Sequence, residues 1–431
     1  MKLDTEEPIT AAPAATPVKE TPARPFRFSL GAITRGFSAL AVRNYRLFWT
    51  GQLISLTGTW AQRTAQDWLV IQLTHSPFDL GLVTAFQFLP ITLLTLVGGV
   101  FIDRWPKHRL LLLTQTALLL QAVVFTTLVA TGMIQIWHVY ILAAVQGLIN
   151  AIDNPTRQAF VPELVGRRHL VNAIALNSML FNGARIVGPA AAGLLIANLG
   201  IPWALALNAA SFIAVIGGLL LMDPRTFEIR PRAASGPVGR RLLEGLRYVR
   251  HTPSVLLIMM LMAAIGTFGY NFSVVLPLVA GFLLKTSAAG FGGLSAFLGL
   301  GSLVAAVATA YARQVTPRRL MMGAATFSLL LGGVAASTNF VLTASLLVAL
   351  GFAAIIFSTT ANTLLQLTVP DELRGRVMSL YILLFAGTTP IGGFLIGTLS
   401  SMLGVSWALG ICATLCLAGV SGALLYRQRH P

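Results

Sequence analysis

The chain has 431 residues, of which 55% belong to the hydrophobic set and only 10% are charged. A soluble domain carries roughly 25% charged residues, so the composition excludes an ordinary soluble enzyme and indicates a membrane protein. The formal net charge of +16 could suggest nucleic acid as a partner, but the basic residues stand at intervals between apolar runs. We therefore interpret the charge as a topology signal and expect no nucleic acid partner.

The N-terminal part of the chain differs in composition from the rest. Residues 1–25 are rich in Pro, Ala, Thr and Glu and contain no hydrophobic core segment, which predicts a disordered tail rather than a signal peptide. Residues 26–46 are basic with interspersed apolar positions, and both a helix on the inner membrane face and a plain linker fit them. We assign 1–46 as a partly disordered cytoplasmic tail.

Apolar stretches recur from Leu47 nearly to the C-terminus, and a membrane span needs about 20 such residues. An N-terminal six-helix bundle would occupy 47–222 and a C-terminal six-helix bundle 255–426. A basic cytoplasmic linker at 223–254 would separate them, and 427–431 would form the cytoplasmic C-terminus. Hydropathy thus predicts an all-α membrane protein with twelve transmembrane helices, at 47–73, 79–102, 109–130, 134–153, 171–196, 202–222, 255–283, 288–311, 319–337, 341–361, 378–401 and 405–426.

The positions of the basic residues test this topology, because cytoplasmic loops carry an excess of lysine and arginine. With both termini in the cytoplasm, all but three of the 30 lysines and arginines fall on the cytoplasmic side. The exceptions are Arg63 and Arg185 within predicted spans and Lys285 on an outer loop. The pattern predicts an even number of spans and cytoplasmic termini.

Two internal sequence matches indicate a duplication. The segment LGIPWAL at 199–205 matches LGVSWAL at 403–409, and Asn154 to Glu163 share several residues with Asn362 to Asp371. Both pairs lie about half the chain apart. Transporters are often built from such repeated halves, so we predict a six-helix unit that occurs twice.

The loop after the second predicted span reads GVFIDRWPKHR at 99–109. It resembles the loop signature G-x-x-x-D-R-x-G-R-K/R of the major facilitator superfamily, with Pro106 in place of the usual glycine. The resemblance implies an inner gate that pairs with span ends in one conformation and releases them in the other; a topology signal is the alternative. The gating residues implied in this loop are Gly99, Asp103, Arg104, Lys107 and Arg109.

The fifth predicted span contains the sequence GPAAAG at 188–193, which looks like the Gly-Pro motif of antiporting drug exporters. Proline removes an intrahelical hydrogen bond and bends a helix, and small residues let helices approach closely. The motif implies a span that rocks or seals the outer face. We assign Gly188, Pro189 and Gly193 to gating.

Three further segments narrow the resemblance: RNYRLFW at 43–49, EGLRYVRHTP at 244–253, and Asn154-Pro155 before a basic loop. Together they resemble the major facilitator branch that contains enterobactin exporters, macrolide efflux proteins and transmembrane secretion effectors. The resemblance implies a multi-pass protein of the bacterial inner membrane that exports a drug-like compound, a macrolide or a siderophore by proton antiport through alternating access. An importer or facilitator of a small organic solute with the same fold is the alternative.

Other functional classes find little support in the sequence. It contains no H-E-x-x-H, no G-x-S-x-G and no nucleotide-binding loop G-x-x-x-x-G-K-[ST], so we expect no enzymatic activity and no direct use of ATP. We also expect no cofactor and no metal site. The expected partners are a small-molecule substrate, protons and the lipid bilayer, and a monomer suffices for them.

An ionisable residue within a membrane span is costly and is therefore a functional hypothesis. On the first predicted span, Asp67 follows Arg63 by one helical turn. Burial favours the protonated form of a carboxylate, and a nearby cation favours the ionised form. A pair that separates and rejoins could load and release one proton per cycle, so we predict Asp67 as the proton carrier with Arg63 as its partner. A fixed ion pair that only locks helix packing is the alternative.

Polar residues at helical spacing on several spans predict a substrate cavity. Arg185 could hold an anionic substrate group or pair with an acid such as Asp153. Asp153 stands near the inner end of its span, so we also count it among the gating candidates. The other polar side chains can hydrogen-bond to substrate or, equally, to neighbouring helices. The predicted cavity residues are Gln62, Gln66, Gln146, Asn150, Asn182, Arg185, Tyr270, Asn271, Asn362, Gln366 and Thr388.

Overall fold

The computed structural model describes residues 37–102, 105–228, 238–310, 315–385 and 387–429, with the side chains of 95–102, 238–242 and 310 left out. Nearly all of the described residues are helical, and none of them forms a β-strand. Helices satisfy their own backbone hydrogen bonds, as a chain in lipid must. The prediction of an all-α protein is confirmed.

The first half of the described chain contains five α-helices. Their bounds are α1 Arg43–Thr74, α2 Pro77–Ile102, α3 Lys107–Ala130, α4 Ile136–Leu199 and α5 Ile201–Leu220. A short 3-10 turn precedes α1 at Ser38–Ala41, and another follows α5 at Pro224–Thr226.

Helix α4 contains 64 residues, which at about 1.5 Å per residue reach roughly 96 Å, about three times the hydrocarbon core. The helix is divided at Gly166, where φ is 63° and ψ is −174°. Glycine adopts this φ without the penalty that a Cβ brings. The expected loop between the spans 134–153 and 171–196 was wrong, because the connecting residues continue the helix on both sides of Gly166.

The second half of the described chain contains nine further α-helices, several of which are short. Their bounds are α6 Val238–His251, α7 Pro253–Phe268, α8 Phe272–Leu278, α9 Ala288–Ala310, α10 Pro317–Ala336, α11 Phe340–Thr368, α12 Asp371–Phe385, α13 Thr389–Leu403 and α14 Val405–Arg429. A π-helical turn at Val279–Leu283 extends α8.

Two of the predicted spans are interrupted in the structure. The span predicted at 255–283 is broken between α7 and α8, next to Gly269, and the span predicted at 378–401 is broken between α12 and α13, next to Gly387. Proline and glycine are tolerated in membrane helices where neighbouring helices satisfy the freed backbone groups. Discontinuous helices of this kind often line the binding sites of transporters.

Within the described residues, ten helical segments are long and apolar enough to cross a membrane, by length and composition. The prediction of a multi-pass membrane protein is thereby supported. This number counts α4 once, joins α7 with α8 and α12 with α13, and leaves out α1. Helix α1 is long enough at 32 residues, but it carries many polar side chains.

Small residues join the two halves of the chain at one end of the bundle. A Cβ on Gly193 of α4 would lie 2.7 Å from the carbonyl oxygen of Ala288 in α9, and a Cβ on Gly81 of α2 would lie 2.7 Å from that of Gly393 in α13. Such close approach is possible only for residues without a side chain. We call this end, defined by Gly81, Gly193, Gly292 and Gly397, the closed end.

The opposite end of the bundle is where α1 begins and α5 ends. Asn44 of α1 donates a hydrogen bond to the carbonyl oxygen of Asp223 at 3.0 Å and another to Thr226 at 2.7 Å. Lys107 at the start of α3 forms an ion pair with Glu163 of α4 at 3.2 Å. We call this end, defined by Arg43, Lys107, Arg157 and Asp223, the basic end.

Candidate functional site

Asp67 lies in α1 next to the closed end and is only 6% exposed. No hydrogen bond or ion pair joins its carboxyl group to the part of the chain that the structure describes. The neighbouring Trp68 stacks on Phe291 of α9, with ring centroids 6.1 Å apart. One turn further along, Ile71 lies 2.9 Å from where a Cβ on Gly281 would stand. The carboxyl group is therefore buried beside contacts between the two halves.

Arg63 does not form an ion pair with Asp67, which follows it by one helical turn. Its guanidinium carbon lies 4.8 Å from the centroid of the Trp60 ring and 5.5 Å from that of Phe88. Its buried Nε has no hydrogen-bond partner among the described residues. Aromatic rings attract a cation by their quadrupole, so Arg63 is held by rings in this conformation. The joint proton role of the pair stays a prediction.

Two of the predicted cavity glutamines instead join neighbouring helices. Gln62 accepts a hydrogen bond from Asn208 of α5 at 2.6 Å and donates one to Gln121 of α3 at 3.4 Å. Gln146 of α4 accepts one from Gln87 of α2 at 2.7 Å. Gln62 and Gln146 are buried, so their described contacts match the helix-packing alternative for these side chains.

Gln66, four residues after Gln62, has a different environment. It is 1% exposed, and neither its amide nitrogen nor its amide oxygen has a hydrogen-bond partner among the described residues. A buried amide without partners costs free energy. Gln66 adjoins Asp67, and its amide group can both donate and accept a hydrogen bond.

Arg185 of α4 is half-buried, and its Nε is buried without a hydrogen-bond partner in the described chain. Its neighbour Ile186 lies 2.6 Å from where a Cβ on Gly299 of α9 would stand. The part of α4 that carries Arg185 therefore packs against the second half of the chain. On the same helix, Asn182 donates to the carbonyl oxygen of Ser178 at 2.8 Å, and Asn150 is half-buried.

The alternative pairing of Arg185 with Asp153 was wrong. Asp153 is fully buried and forms an ion pair with Arg157, one turn along its own helix. It also accepts hydrogen bonds from Thr114 at 2.7 Å and from Gln115 at 2.8 Å, both on α3. The carboxylate of Asp153 is therefore bound by Arg157 on its own helix and by two donors of α3.

The break between α7 and α8 is packed with aromatic side chains. Tyr270 donates a hydrogen bond to the carbonyl oxygen of Ala354 in α11. Its ring lies parallel to Phe327, with centroids 5.3 Å apart, and 5.2 Å from the ring of Phe385. Next to it, Asn271 is fully buried and donates to the carbonyl oxygen of Thr267 at 2.7 Å, and its side-chain oxygen has no hydrogen-bond partner within the described segments.

The last three predicted cavity residues make described contacts within their own segments. Gln366 is exposed and donates to the side-chain oxygen of Asn362 at 2.5 Å in α11. Thr388, in the break between α12 and α13, donates to the carbonyl oxygen of Leu384 at 2.9 Å. These three residues are not joined to Asp67 or Arg185 by a described contact.

The Gly-Pro segment of α4 packs on two helices at once. A Cβ on Gly188 would lie 2.5 Å from the Cβ of Trp60 and 2.7 Å from the carbonyl oxygen of Thr57 in α1. A Cβ on Gly292 of α9 would lie 2.5 Å from the carbonyl oxygen of Pro189. The segment therefore lies between α1 and α9 at the closed end, and its gating role stays a prediction.

The structure describes only part of the predicted gating loop. Asp103 and Arg104 lie outside the described residues, and Gly99 is described only as backbone within α2. Lys107 pairs with Glu163, whereas Arg109 is exposed. Sequence reasoning had placed Glu163 only in the internal repeat. The distance in sequence between Lys107 and Glu163 gives no signal that the two side chains meet.

Comparison with known proteins also indicates a transporter. The family model of the transmembrane secretion effector matches residues 34–431. A staphyloferrin A transporter of Staphylococcus aureus (strain NCTC 8325 / PS 47) is 26% identical over 389 residues, which cover 87% of this chain and 94% of that protein. An enterobactin exporter of Salmonella typhi is 26% identical over 365 residues, which cover 83% and 86%.

Among solved structures, a bacterial homologue of the human lysosomal transporter Spinster, in an inward-facing and unoccupied conformation, matches with a TM-score of 0.68. The match covers 89% of this chain and 97% of that chain at 11% identity, so it bears on the fold alone. These findings confirm the predicted resemblance to a branch of the major facilitator superfamily and indicate a membrane transporter.

Proposed function

Because the chain belongs to the transmembrane secretion effector family of major facilitator transporters, we propose that it exports a small molecule from the bacterial cytoplasm in exchange for protons. The substrate is a drug-like compound, a macrolide or a siderophore. The observation that carries the proposal is the buried carboxyl group of Asp67 beside the closed end, which has no hydrogen bond or ion pair with any described residue. Import or facilitated diffusion of a small organic solute is the alternative.

The proposal includes the topology. Counting α1 as a span, and the two arms of α4 separately, raises the ten apolar segments to twelve. The basic end faces the cytoplasm, because lysine and arginine are retained on that side of a membrane. Both termini are then cytoplasmic, and the linker at 223–254 separates six-helix halves at 47–222 and 255–426 that arose by duplication. The protein lies in the inner membrane.

In this topology the closed end faces outward, so the described conformation is open to the cytoplasm. The contacts between Gly193 and Gly292 and between Gly81 and Gly397 seal the outer end. The ion pair of Lys107 with Glu163 joins helices of the first half only. The two halves can therefore separate at the basic end while the small residues hold them together at the other end, as alternating access requires.

The proton step follows from the surroundings of Asp67. An ionised carboxylate buried without a partner costs several kcal/mol, and a neutral carboxyl group costs much less. Asp67 takes up a proton from outside when the closed end opens. In the cytoplasmic-facing conformation, Arg63 then leaves the rings of Trp60 and Phe88, where it is described, and approaches Asp67. Its positive charge favours the ionised carboxylate, which releases the proton to the cytoplasm.

Substrate binding is assigned to the polar groups that lack partners. Arg185 and Arg63 are cations within the spans, and their Nε atoms have no hydrogen-bond partner among the described residues. Asp67 is the one acid in the described part of these spans that has neither a hydrogen bond nor an ion pair there. This excess of positive charge attracts an anionic group on the substrate. Gln66 can donate and accept a hydrogen bond next to Asp67, so substrate and proton share one region of α1.

Proton movement in inside-out vesicles tests the proposal. Vesicles with an acidic lumen receive macrolides, lipophilic drugs or catecholate siderophores from outside, and a dye reports the lumenal pH. We expect a transported compound to release lumenal protons through the wild-type protein but not through Asp67→Asn. Asp79→Asn is the matched control, because Asp79 lies at the closed end but accepts a hydrogen bond from Tyr140 at 2.7 Å.

Two results of this assay would contradict the proposal. If Asp67→Asn releases protons as the wild type does, Asp67 is a structural residue. If substrate enters the lumen without proton movement, or moves only out of the lumen, the protein is better assigned as a facilitator or an importer with the same fold.

Arg185 can be tested separately by substrate affinity. A hydrogen bond to a charged group contributes about 1.5 to 3 kcal/mol, so Arg185→Gln should weaken the binding of an anionic substrate by about tenfold or more. Arg109→Gln, which removes an exposed cation, should change it little. Equal affinities of the two variants in a tryptophan-quenching titration would remove Arg185 from the site.

A further inference from the structure

Helix α6 in the linker has one face that packs on the protein. Glu244 forms an ion pair with Arg376 of α12 at 2.8 Å. A Cβ on Gly245 would lie 3.2 Å from the carbonyl oxygen of Arg376, and Val249 is only 4% exposed. These contacts fix α6 along the first turns of α12.

The opposite face of α6 is exposed and carries two kinds of side chain. Leu243 is 68% exposed and Leu246 is 55% exposed, and Arg247 and Arg250 beside them are also exposed. Positions separated by three, four and seven residues share one side of a helix. A face that combines leucine with arginine is typical of a helix that lies in the membrane interface.

The position of α6 in the chain brings this face to a bilayer. The helix ends at His251, and α7 begins at Pro253 as the start of an apolar segment that is long enough to cross a membrane. A helix joined so closely to a membrane span lies near the lipid headgroups. The arginines are positively charged, and an anionic lipid surface attracts basic residues that lie near it.

We propose that α6 docks on the anionic surface of the bilayer, with Leu243 and Leu246 below the headgroups and Arg247 and Arg250 on the lipid phosphates. The ion pair of Glu244 with Arg376 transmits this anchoring to α12. Anionic lipid would thereby hold α12, the half of a broken span at the basic end, in a fixed position. The inference depends on α7 as a membrane span and not on the direction of transport.

Spin-label accessibility in nanodiscs tests the docking. The full-length protein, with Cys412→Ala and Cys416→Ala, carries a nitroxide at Leu246→Cys in phosphatidylcholine with increasing phosphatidylglycerol. We expect oxygen to gain access to the label and a water-soluble nickel chelate to lose it as phosphatidylglycerol is added. A label at Ile213→Cys, on an apolar span and 62% exposed, gives the reference for lipid.

The arginines supply the second part of the test. Arg247→Gln with Arg250→Gln should abolish the response to phosphatidylglycerol, since two basic residues change the affinity for an anionic surface by about 30-fold. Arg318→Gln with Arg429→Gln removes two exposed cations elsewhere and should leave the response unchanged. High salt should abolish the response in the chain that keeps all its arginines.

Either of two outcomes would overturn the proposal. Equal access of the nickel chelate to the label at every lipid composition would show that the label lies outside the lipid, with water or a soluble partner on this face. A response that persists in high salt or without Arg247 and Arg250 would show that the anionic lipid acts elsewhere.

Discussion

Two helices of the first half each carry an acid and an arginine four residues apart, and the structure treats the two pairs differently. In α4, Asp153 precedes Arg157, and the side chains form an ion pair with two further hydrogen bonds from α3. In α1, Arg63 precedes Asp67, and no ion pair forms. An acid placed before its base agrees better with the helix dipole.

Equal spacing of an acid and an arginine along a helix therefore does not specify equal roles. Asp153 has every partner that a buried carboxylate needs, so it holds α3 and α4 together. Asp67 has none within the described chain, so its protonation can change without breaking the fold. Substitutions of partnered and unpartnered polar groups should therefore differ in their effect on stability.

The largest effect should follow the loss of the partnered acid. Asp153→Ala leaves Arg157 and two hydrogen-bond donors without their acceptor, and breaking a buried pair on one side costs about 3 to 5 kcal/mol. The free energy of unfolding in mixed micelles should fall by this amount. Asp67→Ala, which breaks no described bond, should leave it nearly unchanged; equal losses would remove the distinction.

A smaller effect is expected at the closed end, which adjoins Asp67. Gly193→Ala introduces a Cβ that would lie 2.7 Å from the carbonyl oxygen of Ala288, and overpacking of this kind costs about 1 to 3 kcal/mol. The closed end should open, which lengthens the distance between spin labels at Gln72→Cys and Ser401→Cys.

Gly183→Ala on the same helix is the control, because no described atom lies within 4 Å of its Cβ position. It should leave the distance unchanged. A distance that stays the same in Gly193→Ala would show that the glycine contact does not maintain closure.

The smallest effect distinguishes two glutamines of α1. Gln62→Leu removes one described hydrogen bond each from Asn208 and Gln121. Both side chains keep another described bond, so the free energy of unfolding should fall by only about 0.5 to 1.5 kcal/mol. Gln66→Leu breaks no described hydrogen bond, so it should keep stability and reduce transport. If Gln62→Leu impairs transport alone and Gln66→Leu impairs stability alone, the assignment of the two side chains is reversed.

Hydropathy and charge were sufficient to predict the helical architecture and the multi-pass membrane class, whereas the family was predicted from short motifs such as GPAAAG at 188–193. They could do so because long apolar runs and loop charges are properties of the chain itself. The internal breaks were not predicted. Gly269 and Gly387 permit a break, but whether a helix breaks depends on the side chains packed around it, such as Phe327 beside Tyr270.

The candidate site was predictable only at the level of residue type. The sequence selected Asp67, Arg63, Gln62 and Gln66 because polar residues are costly in lipid. It could not separate Gln62 from Gln66, since partners such as Asn208 come from distant parts of the chain. Nor could it reveal that Arg63 lies over aromatic rings instead of against Asp67.

The most direct test of the account is the proton released when a transported compound binds to the purified protein in weakly buffered detergent solution, measured with a pH dye. We expect the wild type and Asp79→Asn to release a proton, and Asp67→Asn, which still binds the compound, to release none. Release by Asp67→Asn equal to that of the wild type would contradict it, because the exchanged proton would then come from another group.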